Sequence, residues 1–384
     1  MKILHLYSDW KWTGPAEPVL QMCQGLQGRG HEVLIAYCAR ARENYRESVD
    51  LKVREMGLHG TTAFALDRYL HPGPTWRDFR TLPGFLRREK FDVVHMHLDH
   101  DHVEGALCAR WLGQAGPLLV RTLHRREVLP AHLGYRFLLG RMTDGWLTFT
   151  ENFRQDYIQR FRLPAARTAV QPMTVDLERF RPDKPWRDMR AEFSIAGDST
   201  LIGIVGRYQK YRKMDIFLAA AQRVLQEAPQ TRFFVIGRSS QIQKTVVEPA
   251  AALGISDKII LTGYRTADYA DLMAALDIFS LLMPGFDGTA RAVREAMALG
   301  KPCVVSDFGM LPDIVPHEKA GLVVRRDDPE ALAQAWLALI RDPARRRELG
   351  QGARREAETR FGVDRVGPAL EDFYERLLTW RRSR

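Results

Sequence analysis

The sequence predicts an α/β protein made of two doubly wound, Rossmann-like domains that face each other across a cleft. The chain has 384 residues, more than one ordinary domain contains. Short β-rich runs alternate with helix-length stretches, a pattern typical of parallel βαβ units. A proline-punctuated segment near the middle predicts a stiff connector between two halves.

The first domain is predicted over residues 1–170. The opening residues lack the pattern of a secretion signal and are predicted to form the first strand. The predicted strands are 3–7, 31–38, 91–96, 118–122 and 146–150. The predicted helices between and after them are 19–28, 76–89, 103–112, 133–141 and 153–161.

An interdomain linker is predicted over residues 171–186, and the second domain over residues 187–362. The second domain's predicted strands are 201–205, 232–236, 259–261, 278–282, 303–305 and 322–324. Its predicted helices are 216–228, 242–253, 269–275, 290–299 and 331–340. Residues 363–384 have helical periodicity with no strand after them, so we expect this helix to pack back on the first domain.

Composition narrows the class of protein. The net charge of +10 favours anionic partners such as nucleotides, nucleic acid or an acidic membrane surface. No apolar run reaches the ~18 residues that a membrane-spanning helix needs. The four cysteines are scattered, with no metal-like spacing, and are predicted to be reduced core thiols of a cytoplasmic protein.

A basic loop follows the first predicted strand of the second domain. Residues 206–215 read Gly-Arg-Tyr-Gln-Lys-Tyr-Arg-Lys-Met-Asp and precede a helix. Four cations at the carboxyl end of a strand suit a diphosphate, since Arg offers a planar fork and Lys a point charge. A solvated basic loop would give the same pattern. The glycines do not form G-x-G-x-x-G, which argues against a nicotinamide site.

A second candidate segment joins the predicted strand 278–282 to the Ala-rich helix after it. Asp287 lies in the loop and Glu295 lies two helical turns into the helix. Ligands of open α/β sheets bind at the carboxyl ends of the strands, and helix N-termini offer free N–H groups to anions. This suits a nucleotide-sugar. An exposed helix face with an Arg291–Glu295 pair would look identical, but Asp287-Gly288-Thr289 adds a flexible turn with a probable helix cap that favours function.

Several motifs together resemble those of the family 4 glycosyltransferases, or glycosyl transferases group 1. Gly206-Arg207 followed by Lys213 is similar to the family's Gly-Arg…Lys-Gly element. Residues 287–302 resemble its Glu-x7-Glu signature, and residues 169–176 resemble its interdomain Val-Ile-Pro-Asn-Gly-Val-Asp. The resemblance covers nearly the whole chain. It implies a retaining, metal-independent glycosyltransferase with the two-Rossmann (GT-B) architecture.

The resemblance also implies roles for individual residues. Arg207 and Lys213 would bind the diphosphate of the donor and neutralise the leaving nucleotide. Glu295 would accept hydrogen bonds from the ribose, and Asp287 would contact sugar hydroxyls. The amides nearby would be those of Gly288, Thr289 and Ala290. The nucleotide-sugar is a substrate, so no cofactor is implied.

Three departures from the family pattern concern the choice of donor. Asp287 stands where the family has Glu, which shortens the side chain's reach by roughly 1.5 Å. Met214 replaces the usual Gly, and Met173-Thr174 replaces Asn-Gly.

In the first domain, Gly14 lies where the family has a glycine-rich turn that faces the cleft. Trp10 and Trp12 beside it would stack on a sugar or pack the loop. His124 matches the family's Thr-x-His element and would face the donor sugar or the acceptor hydroxyl. The run 95–102 is rich in His and Asp, which are suitable metal ligands. A strand that ends in a polar loop gives the same pattern, and we predict no metal site.

The resemblance indicates a glycan or lipid-linked acceptor, as in bacterial lipopolysaccharide or capsule biosynthesis. The segment 76–88 mixes aromatic and cationic residues and suits either a solvated helix or peripheral contact with an anionic inner-leaflet surface. No RNA-binding module is recognisable, so nucleic acid is not a predicted partner. A nucleotide-sugar 2-epimerase and a non-catalytic nucleotide-sugar binding protein remain the alternative functions.

Overall fold

The computed structural model describes residues 1–12, 14–39, 48–69, 71–113, 116–124, 128–284 and 290–383. The chain forms two compact units. Unit 1 comprises Met1–Met173 together with Val363–Arg384, and unit 2 comprises Thr174–Gly362. Each unit contains one sheet with helices on both faces, and the two are described separately.

Unit 1 is an α/β unit with seven strands among its described residues. The strands are β1 Lys2–Tyr7, β2 Glu32–Tyr37, β3 Gly60–Thr61, β4 Val93–Met96, β5 Leu118–Thr122, β6 Gly145–Thr148 and β7 Thr168–Val170. The helices are α1 Ala16–Gly28, α2 Val49–Glu55, α3 Pro72–Glu89, α4 Asp99–Arg110, α5 Leu133–Met142 and α6 Glu151–Phe161, with α15 Val366–Arg382 added by the end of the chain.

The sheet of unit 1 is parallel with the order β3-β2-β1-β4-β5-β6-β7. Side chains alternate between its faces because strand periodicity is two. Ile3 and Tyr7 pack with α1 and α15 on one face, and Leu4 and Leu6 pack on the other. His5 lies between Ile3 and Tyr7 in this alternation. The strand order reverses between β1 and β4, where doubly wound sheets bind their ligands.

Unit 2 repeats this plan, with six strands in the part of it that the structure describes. They are β8 Leu201–Gly206, β9 Arg232–Gly237, β10 Ile259–Gly263, β11 Ile278–Leu281, β12 Cys303–Ser306 and β13 Gly321–Val324. The helices are α7 Met189–Glu192, α8 Met214–Glu227, α9 Glu248–Ala252, α10 Tyr269–Ala274, α11 Arg291–Ala298, α12 Leu311–Ile314, α13 Pro329–Arg341 and α14 Pro343–Arg360.

The sheet of unit 2 is parallel with the order β10-β9-β8-β11-β12-β13. Its order reverses between β8 and β11, so the loops after these two strands share the switch point. The core on one face includes Phe217 of α8, Phe233 of β9 and Trp336 of α13, all fully buried. Met214, one of the departures from the family pattern, is also buried in this core.

The structure extends one predicted helix and adds another. The predicted helix 76–89 is part of α3, which runs unbroken from Pro72 to Glu89 with Pro83 inside it. Buried Leu82 and Leu86 on either side of the proline hold this helix against the core. No helix was predicted for residues 343–360, where α14 lies. Within the described parts of the chain, every helix is too short or too polar to cross a membrane.

The helix α15 packs closely against α1 within unit 1. A Cβ atom added at Gly367 would lie 2.3 Å from the carbonyl oxygen of Gly25, and one added at Gly25 would lie 2.8 Å from the backbone nitrogen of Gly367. Both contacts are with backbone, which cannot move aside as a side chain does. The approach of the two helices therefore requires glycine at both positions.

We expect Gly367→Ala to destabilise the protein, because the new methyl group must push α15 away from α1. Overpacking of this kind costs about 1–3 kcal/mol. Gly28→Ala is the matched control, since a Cβ there meets nothing within 4 Å. This control should be neutral or slightly stabilising, because Ala favours helix. Thermal unfolding followed by circular dichroism measures both. Equal melting temperatures for the two variants would contradict the close helix contact.

Candidate functional site

The basic loop of unit 2 is built on two buried side chains. The Tyr208 hydroxyl donates toward the carbonyl oxygens of Ile204 and Ile236, at 2.9 and 2.6 Å. The buried Arg212 guanidinium donates to the carbonyl oxygen of Met283, at 2.8 Å, and so ties this loop to the end of β11. Arg212, one of the four cations that the sequence offered for a diphosphate, is therefore structural.

The remaining cations of the loop are open to solvent. Arg207 and Lys210 are exposed, and no partner for the Arg207 side chain lies among the described residues. Lys213 has a left-handed backbone with φ of 59°, and its Nζ lies 2.7 Å from an oxygen of Asp327. Asp327 raises the pKa of Lys213 through this hydrogen bond. A phosphate would have to compete with Asp327 for this ammonium.

An open depression of about 630 Å³ lies beside this loop. A volume of this size falls within the range of small-molecule sites. Most of its exposed lining surface is apolar, and its described lining consists of Gln209, Lys210, Tyr211, Lys213, Gln241 and Met283. The family resemblance assigned Arg207, Lys213 and Glu295 to the donor. Of these three, Lys213 lines this depression, and Arg207 and Glu295 do not.

Glu295 is buried in α11, with 2% of its surface exposed. Its Oε1 accepts a hydrogen bond from Arg291 Nε at 2.7 Å, and its Oε2 accepts one from the Tyr269 hydroxyl at 2.6 Å. The Arg291–Glu295 pair is therefore present, but the carboxylate is not part of a solvated face. Burial and the Glu295 charge raise the pKa of Tyr269. Each carboxylate oxygen has a second acceptor position, so Glu295 could still accept hydrogen bonds from a ligand.

The loop that precedes α11 carries the remaining predicted donor contacts. Asp287, Gly288 and Thr289 lie outside the described residues. Ala290 is fully buried and is the residue before the first turn of α11. β11 pairs with β8, so the ends of both strands lie at one edge of the sheet.

Trp10, Trp12 and Gly14 lie in or next to a loop of unit 1 that is held by hydrogen bonds to Asp9. The Oδ1 of Asp9 accepts from the backbone nitrogens of Trp10 and Lys11, at 2.8 and 3.1 Å. Gly14 is exposed in the turn before α1. Trp12 packs against the core, which supports its packing function. Lys11 Nζ lies 5.3 Å from the centre of the Trp10 ring.

A buried group of histidines lies at the switch point of unit 1. The ligand atoms of His5, His95 and His97 lie within 4.8 Å of one another, and all three side chains are fully buried. Both nitrogens of His95 are hydrogen-bonded, to the hydroxyls of Tyr374 and Thr122, each at 2.6 Å. The sequence had singled out residues 95–102, but the structure brings in His5.

The other members of that histidine run are engaged elsewhere or lie apart. His102 Nε2 bonds to Thr143 Oγ1 at 2.8 Å. Asp101 accepts from the backbone nitrogens of Ser8, His97 and Leu98 and contacts buried Arg121. The alternation of side chains along β1 could have predicted that His5 belongs to this cluster. His5 shares a face of the sheet with Ile3 and Tyr7, as His95 does with Val93.

Comparisons with known proteins identify the class. The model of the family described as "Glycosyltransferase Family 4" matches residues 13–179, and that of "Glycosyl transferases group 1" matches residues 199–342. A glycosyltransferase from Rickettsia africae ESF-5 superposes with a TM-score of 0.82 at 14% identity over 98% of both chains. The UDP complex of Anabaena Alr3699/HepE gives a TM-score of 0.77 at 20% identity, over 97% of this chain and 99% of that one. These chains share the GT-B fold, and the protein belongs to the group 1, family 4 glycosyltransferases.

The sequence relatives act on different substrates. A D-inositol 3-phosphate glycosyltransferase of Streptomyces bingchenggensis is 28% identical over 78% of this chain and 66% of its own length. A UDP-Gal:alpha-D-GlcNAc-diphosphoundecaprenol alpha-1,3-galactosyltransferase of Escherichia coli is 22% identical over 77% of this chain and 78% of its own length. The lipopolysaccharide core biosynthesis mannosyltransferase LpsB of Rhizobium meliloti is 25% identical over 77% of this chain and 87% of its own length.

Arg294, next to Glu295, is a buried cation that the sequence analysis did not single out. It is 1% exposed, and none of its three guanidinium nitrogens has a hydrogen-bond partner within the described structure. Its guanidinium carbon lies 5.3 Å from the centre of the Phe361 ring. Burial, with a smaller effect from Arg360, lowers the pKa of Arg294 to about 9.

We expect Arg294→Met to stabilise the protein, because it removes a desolvated charge and keeps a long side chain against Phe361. Replacing buried charges by apolar residues of similar volume has stabilised proteins by about 1–4 kcal/mol. Arg347→Met, an exposed change on α14, is the control and should stay within about 0.5 kcal/mol of wild type. Denaturant unfolding measures both. A loss of stability in Arg294→Met would show that the guanidinium has a favourable partner that this structure lacks.

Proposed function

We propose that the protein transfers a sugar from a nucleotide-sugar to a glycan or lipid-linked acceptor, with retention of configuration and without a metal ion. The depression of about 630 Å³ beside the basic loop, with Lys213 in its wall, is the observation that carries this proposal. A depression with two lysines in its lining, at the switch point of a doubly wound sheet, suits a ligand with a diphosphate. Family membership supports the class of reaction.

In this proposal the cations of unit 2 bind the donor's diphosphate. Arg207 has no described side-chain partner to lose, and Lys213 exchanges Asp327 for phosphate oxygens. As the glycosidic bond breaks, negative charge grows on the leaving nucleotide. Fixed cations stabilise that charge without reorganisation.

The other contacts fix the position of the donor. Glu295, held by Tyr269 and Arg291, would accept hydrogen bonds from the ribose hydroxyls. Asp287 would bind sugar hydroxyls, with amides of Gly288, Thr289 and Ala290 nearby. From unit 1, His124 and Gly14 would contact the transferred sugar or the acceptor.

Retention is proposed to follow front-face attack. The acceptor hydroxyl attacks the anomeric carbon on the side from which the nucleotide leaves, and a donor phosphate oxygen takes the acceptor's proton. A covalent route needs a carboxylate nucleophile. Glu295, with both oxygens engaged by Tyr269 and Arg291, is poorly suited to that role.

The names of the relatives support an envelope glycan as the product. One acts on a diphosphoundecaprenol-linked sugar and another in lipopolysaccharide core biosynthesis. We therefore propose a role in bacterial lipopolysaccharide or capsule biosynthesis, on the cytoplasmic side of the inner membrane. The UDP complex of Alr3699/HepE makes UDP-sugars the first donors to test.

Removing one diphosphate cation should slow transfer sharply. We expect Arg207→Ala and Lys213→Ala each to lower kcat by roughly 10²–10³-fold, the effect of losing one preorganised charge at a reacting centre. Arg223→Ala is the control, because Arg223 is an exposed α8 cation paired with Glu330. A panel of UDP-, GDP-, ADP- and CMP-sugars first identifies the donor by thermal shift. A ligand at 100 times its Kd adds roughly 2.7 kcal/mol of stability.

The products separate the possible functions. A new glycoside whose anomeric proton signal shows the donor's configuration supports retaining transfer. Release of nucleotide and an epimerised sugar without any acceptor would instead identify a 2-epimerase. Donor binding without turnover, unchanged in Glu295→Ala, would identify a non-catalytic binding protein. Full transfer activity after chelator treatment checks metal independence.

Unit 1 exposes apolar and cationic side chains together on two helices. Trp76 of α3 is 65% exposed, and Leu133 and Phe137 of α5 are 85% and 55% exposed. Arg141 lies on the same face of α5 as Leu133 and Phe137, and Arg136 lies next to that face. Both arginines are also exposed. Exposed aromatic and apolar groups beside cations are typical of helices that lie in an anionic membrane interface. We propose peripheral membrane contact through these helices.

We expect the protein to float with anionic phosphatidylglycerol vesicles at low salt, and to be released as salt screens the charges. Leu133→Ser combined with Phe137→Ser should weaken this binding several-fold by removing buried apolar area. Leu261→Ser, at a residue of unit 2 that is 41% exposed, is the matched control. Equal flotation of all three proteins, or none of wild type, contradicts membrane contact through α5.

A further inference from the structure

Three imidazoles form a hydrogen-bonded line inside unit 1. His5 Nδ1 lies 2.9 Å from His97 Nε2, and His97 Nδ1 lies 3.4 Å from His124 Nε2. The line starts at fully buried His5 and ends at half-buried His124. His97 is thus the only one of the three with both ring nitrogens in the line, and it links the core to His124.

Strand register explains why these residues meet. β1 and β4 pair with His5 opposite His95, and β4 and β5 pair with His95 opposite Val120. His97 and His124 follow at the carboxyl ends of β4 and β5, in the same alternation. The backbone nitrogen of His97 donates to Asp101 Oδ1 at 2.8 Å, which fixes where its ring lies.

The surroundings keep the three rings neutral. Burial lowers the pKa of His5 and of His124 to about 3, and burial and the neighbouring histidines lower that of His97. The nearby buried Arg121 guanidinium opposes protonation of His97 and His124 further, and the buried carboxylate of Asp101 accepts from the backbone nitrogen of His97. Each neutral imidazole has one N–H donor and one acceptor nitrogen.

Because the three rings are neutral, the hydrogen bonds along the line can run from donor to acceptor in either of two directions. Either each Nδ1–H of His5 and His97 donates toward the next Nε2, or every bond runs the opposite way. His5 Nε2 decides between them, because it is buried without a hydrogen-bond partner in the described structure. In the first direction this nitrogen is a bare acceptor, and in the second it is an orphaned N–H. Among backbone groups, buried orphaned N–H donors are rarer than acceptors that lack a partner, and we apply the same order to this imidazole nitrogen, which favours the first direction.

We infer that His5 and His97 are positioning residues that hold His124 in its Nδ1–H tautomer. His124 then presents a hydrogen-bond donor on Nδ1, while its Nε2 accepts from His97. It is a donor to a ligand oxygen and not a proton-abstracting base. This role rests on the proposed function, in which His124 contacts the sugar or the acceptor, but the tautomer itself does not.

A metal site is the competing use of this cluster. His95 opposes it, because both of its nitrogens are already bonded to Tyr374 and Thr122. A divalent cation would also lie near buried Arg121, whose charge repels it. The described surroundings of the cluster thus favour a hydrogen-bonded line over a metal centre.

Long-range proton–nitrogen NMR spectra of ¹⁵N-histidine-labelled protein test the inference directly. His124→Gln assigns the His124 signals by their loss. In wild type we expect protonated Nδ1 and unprotonated Nε2 at His124, unchanged across neutral pH. A protonated Nε2, a charged ring at neutral pH, or one equivalent of tightly bound metal by elemental analysis would each overturn it.

Two variants of His5 test the coupling at a distance. His5→Leu removes the donor to His97, so His124 should show both tautomers. His5→Asn keeps a side-chain N–H at the position of Nδ1 and should restore the single tautomer. Circular dichroism shows whether each variant folds, and the wild-type spectrum decides the direction even if neither does. A single unchanged tautomer in folded His5→Leu would overturn the role of His5.

Activity provides a separate readout. If His124 is positioned through this line, His5→Leu should lower kcat by up to about 100-fold, as misplacement of a contacting group does, and His5→Asn should recover it. The stated tautomers in a protein that transfers no sugar would refute the proposed function alone. Active protein with the opposite tautomer would refute this inference alone.

Discussion

The candidate donor site depends on the parallel pairing of β8 with β11. Residues 278–280 of β11 lie opposite residues 202–204 of β8, which brings the two strand ends to one edge of the sheet. The connections from neighbouring strands at a reversal of strand order leave to opposite faces, so the space between them stays open. Arg212 uses this proximity, since it follows β8 and bonds to Met283 after β11. Without that register the basic loop and the helix of Glu295 would belong to different parts of the surface.

The hydrophobic periodicity of the sequence and its turn residues were enough to predict the α/β architecture. The strands at 3–7, 118–122 and 201–205 were predicted almost to the residue, because apolar β-branched runs between turn residues have few other solutions. α14 was missed because its polar, Arg-rich sequence shows little helical alternation, and its buried face consists mostly of Ala and Gly. Pro83 is tolerated inside α3 because the buried Leu82 and Leu86 on either side of it hold the helix to the core.

The sequence was less informative about the site, since the contacts that define it join distant residues. Glu295 was singled out as a candidate from the sequence, but its partner Tyr269 is 26 positions away, and only the structure shows the bond. His5 and Tyr374 join the histidine cluster from opposite ends of the chain. Spacing rules detect ligands within one segment, and they cannot detect a group assembled from β1, β4 and α15.

Three buried arginines show how differently the same side chain can act. Arg121 contacts Asp99 and Asp101, and Arg212 bonds to a carbonyl oxygen, so both charges are compensated and fix loops at strand ends. Among the described residues, the Arg294 guanidinium has the Phe361 ring and the cation Arg360 near it and no hydrogen-bond partner. A desolvated charge without a partner opposes folding. The first two arginines therefore support the sites, whereas Arg294 is expected to reduce the stability of the helix that carries Glu295.

The proposed chemistry in both units rests on fixed donors and charges, not on groups that exchange protons. The Arg207 guanidinium and the Lys213 ammonium would supply positive charge, and Asp327 raises the pKa of Lys213. In the tautomer inferred above, the neutral His124 donates through Nδ1 while its other nitrogen is occupied by His97. None of these three can take a proton from an attacking hydroxyl. The donor's own phosphate oxygen becomes more basic as the glycosidic bond breaks, so it is the natural recipient of that proton. A histidine line that prevents His124 from acting as a base would therefore leave the acceptor's proton to that phosphate oxygen, in agreement with the proposed front-face transfer.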